Sequence, residues 1–166
     1  IKTNLTSPDT VTLHKYLSFL KNKKIDNVII EASSHGLQQH RLQHIRFKAG
    51  IFTNFSQDHL DYHKNMKSYL NSKLILFKEI LRKNSSIISD KEIRQFNQLK
   101  YIAKKKKLNI TDICKEIEKV KSNLKDTSNN YKIKNLSMAI QAAKLCGLKE
   151  KFIYRSLKKL KDVNGR

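Results

Sequence analysis

Twice between Val28 and Phe77 the chain closes an apolar, β-branched run with side chains that can do chemistry. VIIEASSH ends in Glu31, Ser33, Ser34 and His35, and AGIFTNFSQDHLDYH ends in Asn54, Asp58, His59, Asp61 and His63. A segment with helical spacing then carries Lys73 toward Leu74, Leu76 and Phe77. Strands that deliver acids and histidines from their carboxyl ends are where open α/β sheets keep ligand sites. Glu31 and His59 offer a carboxylate and an imidazole, reasonable ligands for a divalent cation. Lys73 is a poor third ligand, because an ammonium repels a metal; it is either a surface residue or modified to carry negative charge. The competing reading is structural, with Glu31 capping a local element and His59 bonding a backbone carbonyl.

Other chemistries fit less well. Ser33, Ser34 and His35 are adjacent in sequence, which does not supply triad geometry, and the G-x-S-x-G elbow is absent. His35 and His40 lie in a polar segment without the glutamate of a metalloprotease helix. Ser33, Gln39 and Arg41 instead supply hydroxyl, amide and guanidinium donors suited to an anionic substrate. Arg41 can grip a carboxylate or phosphate at two points. The glycines, Gly36, Gly50, Gly147 and Gly165, form neither a G-x-x-x-x-G-K-[ST] phosphate loop nor a G-x-G-x-x-G motif.

The elements that must position these groups alternate between strand and helix patterns. Ser7 is expected to cap a first helix with Pro8 in its first turn, and Leu13, Tyr16, Leu17 and Leu20 supply one apolar helical face. VIIEA reads as a strand covered on both faces, Ser33 to Gly36 as a loop, and Phe47 to Phe55 as a second strand. Met66, Tyr69, Leu70, Leu74 and Phe77 mark a helix that Asp61 to Asn65 precede. SSIIS (85 to 89) is a third strand, and Asp90 is expected to cap a helix through KEIRQFNQLKYIAKKKK. Leu108 to Ile113 reads as a fourth strand, and Lys115 to Tyr131 as a helix followed by a loop. Helices over Leu136 to Leu145 and Phe152 to Leu160 complete the pattern, the first stopped by Gly147. This alternation predicts an α/β fold with a mostly parallel sheet flanked by helices.

Composition bounds the function. A chain of 166 residues builds one core. No stretch reaches the roughly 18 consecutive apolar residues of a membrane span. The first residues lack the plan of a signal peptide, and with no initiating Met the chain reads as a piece of something longer. Cys114 and Cys146 are far apart without CxxC spacing, as expected of two reduced thiols in a cytosolic protein. Lys and Arg number 35 against 14 Asp and Glu, a net charge of +21. A basic face is the footprint of nucleic-acid binding, but Lys far outnumbers the Arg that reads bases and phosphates bidentately. The charge therefore reads as composition, and Lys104 to Lys107 as a solvated helix end. The same field would favour a polyanionic substrate.

In order and spacing, EASSHGLQQHR, FTNFSQDHLDYH and YLNSKLILF resemble the central domain of the Mur ligases, ATP-dependent amide-forming enzymes of peptidoglycan synthesis. Within that family the resemblance is strongest to members that add the third residue to UDP-N-acetylmuramoyl-L-alanyl-D-glutamate. It covers Leu5 to Asp90 and resumes from Tyr131 to Arg166; the segment between is shorter than the family's run of strands. The resemblance implies roles residue by residue. Glu31 and His59 match magnesium ligands. Lys73 matches a lysine that is carbamylated, which makes it anionic and able to hold a second metal, so that Lys73 and His59 are the catalytic pair. Thr6, Ser7, Ser33, Gln39 and Arg41 match contacts to the UDP-muramoyl substrate. Asn135 matches an asparagine that reaches the adenine, and Arg166 an arginine near the nucleotide. Leu5 and Lys132 depart from the pattern, each standing where the family usually has Asn.

The activity so implied is phosphorylation of the D-glutamate side-chain carboxylate by ATP, followed by attack of a diamino acid's amine on the acyl phosphate. The wording of EASSHGLQQHR leans toward meso-diaminopimelate. The implied cofactors are Mg2+ and ATP. The implied partners are UDP-N-acetylmuramoyl-dipeptide and the diamino acid, with neither membrane nor nucleic acid, in a monomeric cytoplasmic enzyme. The family's uridine-binding N-terminal domain, phosphate loop and C-terminal domain are not found within residues 1–166. The chain is accordingly expected to be a partial central domain, inactive alone. Two alternatives remain: a folylpolyglutamate synthetase-like ligase, against which SSHGLQQHR argues, and a basic nucleic-acid-binding protein, suggested by charge alone.

Overall fold

The structure, a computed structural model, describes residues 6–124, 127–157 and 159–160. Among these, three parallel strands form one sheet in the order β1 (Ala49–Phe52), β2 (Ser86–Ser89), β3 (Asn109–Asp112). Ala49 pairs with Ser86 and Phe52 with Ser89; Ser86 pairs in turn with Asn109 and Ser89 with Asp112. Alternation along the strands divides the core. Phe52 and Ile87 face one layer, while Ala49, Ile51 and Ile88 face the other.

The first layer is built by α1 (Thr10–Asn22), α2 (Ser34–Gln38), α4 (Met66–Ile75) and α5 (Phe96–Lys106). Leu13, Leu37, Leu74, Leu99 and Ile102 pack with Phe52 and Ile87 there. Burying such a Leu or Ile contributes about 1.5–3 kcal/mol. α4 runs on into a π-helical turn, Leu76–Ile80, closed by Leu81 N–H on Leu76 O at 2.8 Å. That turn presses onto β1 at Gly50, where a Cβ would lie 3.0 Å from Phe77 Cε1 and 3.1 Å from Leu76 Cδ2. The second layer is α6 (Cys114–Asn123) and α7 (Asn130–Leu145), with α8 (Glu150–Leu157) stacked outside. Met138 meets Ile88 and Ile113, and Ile133, Ile140, Ile153, Leu157 and Val120 join the three helices. A short α3 (Leu60–His63) precedes α4. The fold is the expected mostly parallel α/β sheet flanked by helices.

Several local expectations change. Ser7 does not cap α1. Asp9 does, accepting from Thr12 N–H at 3.0 Å; hydrogen bonding to the Thr12 side chain first, and then this backbone bond, holds the Asp9 carboxyl below its ordinary value. VIIEA is not a strand and pairs with no described strand. Ile30 and Ala32 dock on the core while Ile29 is 92% exposed, so only one face of the run is covered. Residues 33 to 36 are not a loop: Ser33 caps α2 by accepting from Gly36 N–H at 3.1 Å. Asp90 caps a turn at Glu92 N–H, and α5 begins only at Phe96. The segment 61–65, expected only to precede a helix, holds most of α3, and α7 starts at Asn130, capped by Asn129. The third and fourth expected strands and the helix carrying Lys73 stand where their patterns placed them. Lys104 and Lys105 are exposed in the last turn of α5, where cations complement the helix dipole.

Candidate functional site

Ser7 is the hub of the first half of the site. Fully buried, its hydroxyl donates to Glu31 O at 2.8 Å, accepts from Ser33 N–H at 3.0 Å and lies 3.0 Å from Ser33 Oγ. Arg41 Nη1 donates to Ser7 O at 2.8 Å, and Arg41 Nη2 donates to Gln39 Oε1. Gln39 Nε2 donates onward to Tyr62 Oη at 3.2 Å. Of the five residues expected to contact an anionic substrate, Ser7, Ser33, Gln39 and Arg41 thus share one hydrogen-bonded strap, with exposed Thr6 next to it. The Ser7 hydroxyl is committed within the protein, so its part is to hold the strap. Gln39 is exposed and Arg41 half-buried, and these can reach a ligand.

Tyr62 joins this strap to a cluster of rings. The His35 ring centroid is 3.9 Å from that of Tyr62, 5.2 Å from that of His59 and 5.3 Å from that of His63. His59 also meets the buried Tyr69 edge-on at 5.9 Å, and Lys73 Nζ stands 5.0 Å over the Tyr69 ring. The structure therefore brings His59 and Lys73, from different elements, to one aromatic platform. His59 adopts a left-handed backbone, φ 53°, ahead of α3, and its N–H is held by Asp58 Oδ1 at 2.8 Å. A non-glycine residue in that region carries strain, which accumulates at functional positions. Burial first, then the positive fields of His35 and His59, push the His63 imidazole below its ordinary pKa.

Glu31 sits on the segment leading into Ser33, exposed, with its carbonyl bonded to Ser7. Among the described residues no group of three His, Cys, Asp or Glu is arranged to hold a metal. Glu31 presents an exposed carboxylate and His59 a half-exposed imidazole.

Asn135 lies exposed on α7. Its neighbour Lys134 crosses to the carboxyl end of β2, with Nζ 2.5 Å from Asp90 Oδ2 and 3.2 Å from Glu92 Oε2. Asp90 is wholly buried, and the Lys134 ammonium is the partner of its Oδ2. Hydrogen bonding to Asp90 raises the Lys134 pKa, against the opposing effect of burial. Arg166 lies outside the described residues. Neither Cys114 nor Cys146 is bridged, and burial raises the Cys114 thiol to about 11. No described helix is long and apolar enough to cross a membrane. The sequence had singled out His63 among the polar residues after the second apolar run without a role, and had not marked Tyr62 or Tyr69 as parts of the site.

Comparison with known proteins shows the family of the chain. The family model described as the Mur ligase middle domain matches residues 1–149. A Clostridium botulinum protein named UDP-N-acetylmuramoyl-L-alanyl-D-glutamate--2,6-diaminopimelate ligase is 32% identical over 184 aligned positions, covering 100% of this chain and 38% of that protein. A protein of the same name from Anaplasma marginale is 41% identical over 101 residues, 61% of this chain and 21% of its own length. A solved structure with that name superposes with a TM-score of 0.77 at 19% identity, covering 96% of this chain and 37% of that one, which shows a shared fold. The chain thus spans well under half the length of these relatives. Residues 1–149, with their strap, ring cluster and parallel sheet, belong to the Mur ligase family as its middle domain.

Proposed function

We propose that this chain is the middle domain of an ATP-dependent ligase that adds meso-diaminopimelate to UDP-N-acetylmuramoyl-L-alanyl-D-glutamate in peptidoglycan precursor synthesis. The observation that carries the reading is the junction at Tyr62. It accepts from Gln39, at the end of the Arg41 strap, and packs against His35, at the start of the ring cluster that holds His59 and Lys73. An anionic substrate gripped by Arg41 and Gln39 would therefore lie beside His59 and Lys73. The named relatives support the choice of substrate and of amino acid.

In this reading Arg41 and Gln39 bind and orient the acyl acceptor, so that its side-chain carboxylate meets the γ-phosphate of ATP. Phosphoryl transfer asks mainly for positioning and charge compensation. Lys73 and His59 lie where that compensation is needed. When bound by Glu31, His59 and a carbamylated Lys73, Mg2+ supplies Lewis-acid neutralisation of the phosphoryl oxygens. As an ammonium, Lys73 is favoured over the Tyr69 face; a carbamate, being anionic, is repelled by that face and belongs off it. Asn135 and Arg166 are assigned to the adenine and nucleotide side, and the triphosphate to a glycine-rich loop that this sequence does not contain. The whole enzyme is taken to be monomeric and cytoplasmic.

The test is calorimetric titration of the chain with UDP-N-acetylmuramoyl-L-alanyl-D-glutamate. Binding is expected, and Arg41→Ala should weaken it about 10- to 100-fold, the loss of one charged hydrogen-bonding group. Absence of binding at millimolar substrate to a chain shown to be folded by circular dichroism would sink the reading.

A further inference from the structure

No role falls to His63 from the resemblance, and it is the most enclosed histidine of the cluster, at 4% exposure. Both ring nitrogens are engaged by hydroxyls from other helices. Nε2 lies 2.9 Å from Ser34 Oγ, at the first position of α2, and Nδ1 lies 3.4 Å from Ser72 Oγ, the residue preceding Lys73 on α4. The ring itself stacks on Tyr69, 5.1 Å between centroids at 28°. Tyr69 is the same platform that His59 meets edge-on and that Lys73 Nζ overlies.

The hydrogen-bond inventory orients this ring. A serine hydroxyl has a single proton to donate. Ser72 has its shortest acceptor in Ser68 O, at 3.0 Å, with Gln38 Oε1 at 3.5 Å. Its oxygen is thus left to accept from His63 Nδ1–H. Nε2 is then the bare nitrogen and accepts the Ser34 hydroxyl. One tautomer satisfies all three groups, and it links α2, which follows Glu31 and Ser33, to α3, which follows His59, and to α4, which carries Lys73.

We propose that His63 is a positioning residue: bonded to Ser34 and Ser72 and stacked on Tyr69, it sets the placement of His59 and Lys73 on that shared ring. The role rests on the ligase reading for its purpose, while the geometry and its test do not.

The experiment is long-range 1H–15N correlation NMR of the imidazoles in the 166-residue chain, with 13Cε of Lys73 followed alongside. His63 is expected as a single Nδ1–H tautomer, while the exposed His14 on α1 shows tautomer averaging. Ser72→Ala removes the Nδ1 partner and should turn the His63 signal into a tautomer mixture. It should also shift the His59 ring nitrogens and Lys73 Cε with little change in melting temperature. Ser34→Ala, should the first variant fold poorly, removes the other partner and is expected to shift the same signals. An Nε2–H or averaged His63 in the unmodified chain would overturn the proposal. So would variants that leave the His59 and Lys73 signals unmoved. None of these readouts needs bound substrate, so failure of the ligase reading would show separately, as absent binding in the titration above.

Discussion

Ser7 rests directly on Gly36: a Cβ built at position 36 would lie 2.7 Å from Ser7 Cβ and 2.9 Å from its Oγ. The contact spans 29 positions of sequence and clamps the entry to α1 onto the first turn of α2. Through it the strap of Ser33, Gln39 and Arg41 becomes a single unit with the segment carrying Glu31. Gly36→Ala should therefore displace Ser7 and cost about 1–3 kcal/mol, the range for an added methyl in a packed site. Urea unfolding measures this. A midpoint equal to that of the unmodified chain would show that the clamp gives way easily.

Lys134 offers a second stability test. Lys134→Met leaves the Asp90 carboxylate buried without its cation, at a cost of about 1–3 kcal/mol. Adding Asp90→Asn should recover part of that loss, which a double-mutant cycle in urea would read as coupling. The pair also has a pH signature. The Lys134 pKa is raised in the folded protein from its ordinary 10.5, chiefly by bonding to Asp90. A raised lysine pKa means the folded state holds the proton more tightly. Its contribution is complete below pH 10.5 and fades as pH climbs through the raised value. Stability of the unmodified chain should fall more steeply above that pH than stability of Lys134→Met.

His63 acts at the opposite end of the pH scale. Burial, His35, His59 and Lys73 lower its pKa from the ordinary 6.5, while Asp61 opposes them. The unfolded chain then binds the proton more readily than the folded one, so stability rises with pH across this region. It is complete above pH 6.5 and declines as pH drops from there toward the depressed value. Urea midpoints at several pH values between neutral and mildly acidic should show the decline, and His63→Asn should flatten it. An unchanged slope in the variant would assign the effect to another group.

The outer helices are joined by Glu116, which is buried at 2% exposure. It accepts from Gln141 Nε2 at 2.6 Å, from Lys144 Nζ at 2.7 Å and from the Tyr154 hydroxyl. Burial first, and then the Glu116 carboxylate, raise the Tyr154 pKa far above its ordinary value. Tyr154→Phe removes one donor from a buried carboxylate and should destabilise by about 1–3 kcal/mol. Hydrogen exchange should quicken in α6, α7 and α8 ahead of the sheet. Uniform quickening would mean that the helical layer and the sheet open together.

Much of this protein was legible in its order of residues. SSIIS and Leu108 to Ile113 are strands because apolar β-branched runs bounded by polar residues have few other uses. The helix bearing Lys73 follows from Met66, Tyr69, Leu70 and Leu74 on one face. Family membership, too, was carried by local wording, since EASSHGLQQHR and FTNFSQDHLDYH keep their residues at fixed spacing. These features depend on neighbours within a few positions, which is what a linear pattern records.

Tertiary structure decided the rest. VIIEA has the composition of a paired strand, yet pairing depends on a partner's backbone, and no described strand lies against it. Ser7 has the type of a helix cap, but its hydroxyl finds Glu31 O and Ser33 N–H across more than twenty residues, leaving Asp9 to cap. His63 sits ten positions from Lys73 and on a different helix, a separation that predicts no contact. Its position is set by two serines, Ser34 and Ser72, brought together only when α2, α3 and α4 pack. Residue types and short spacings determined which chemistry the chain could carry. Packing over long separations determined which hydroxyls are spent as internal ties and which side chains remain exposed, because a hydrogen bond is settled by distance in space.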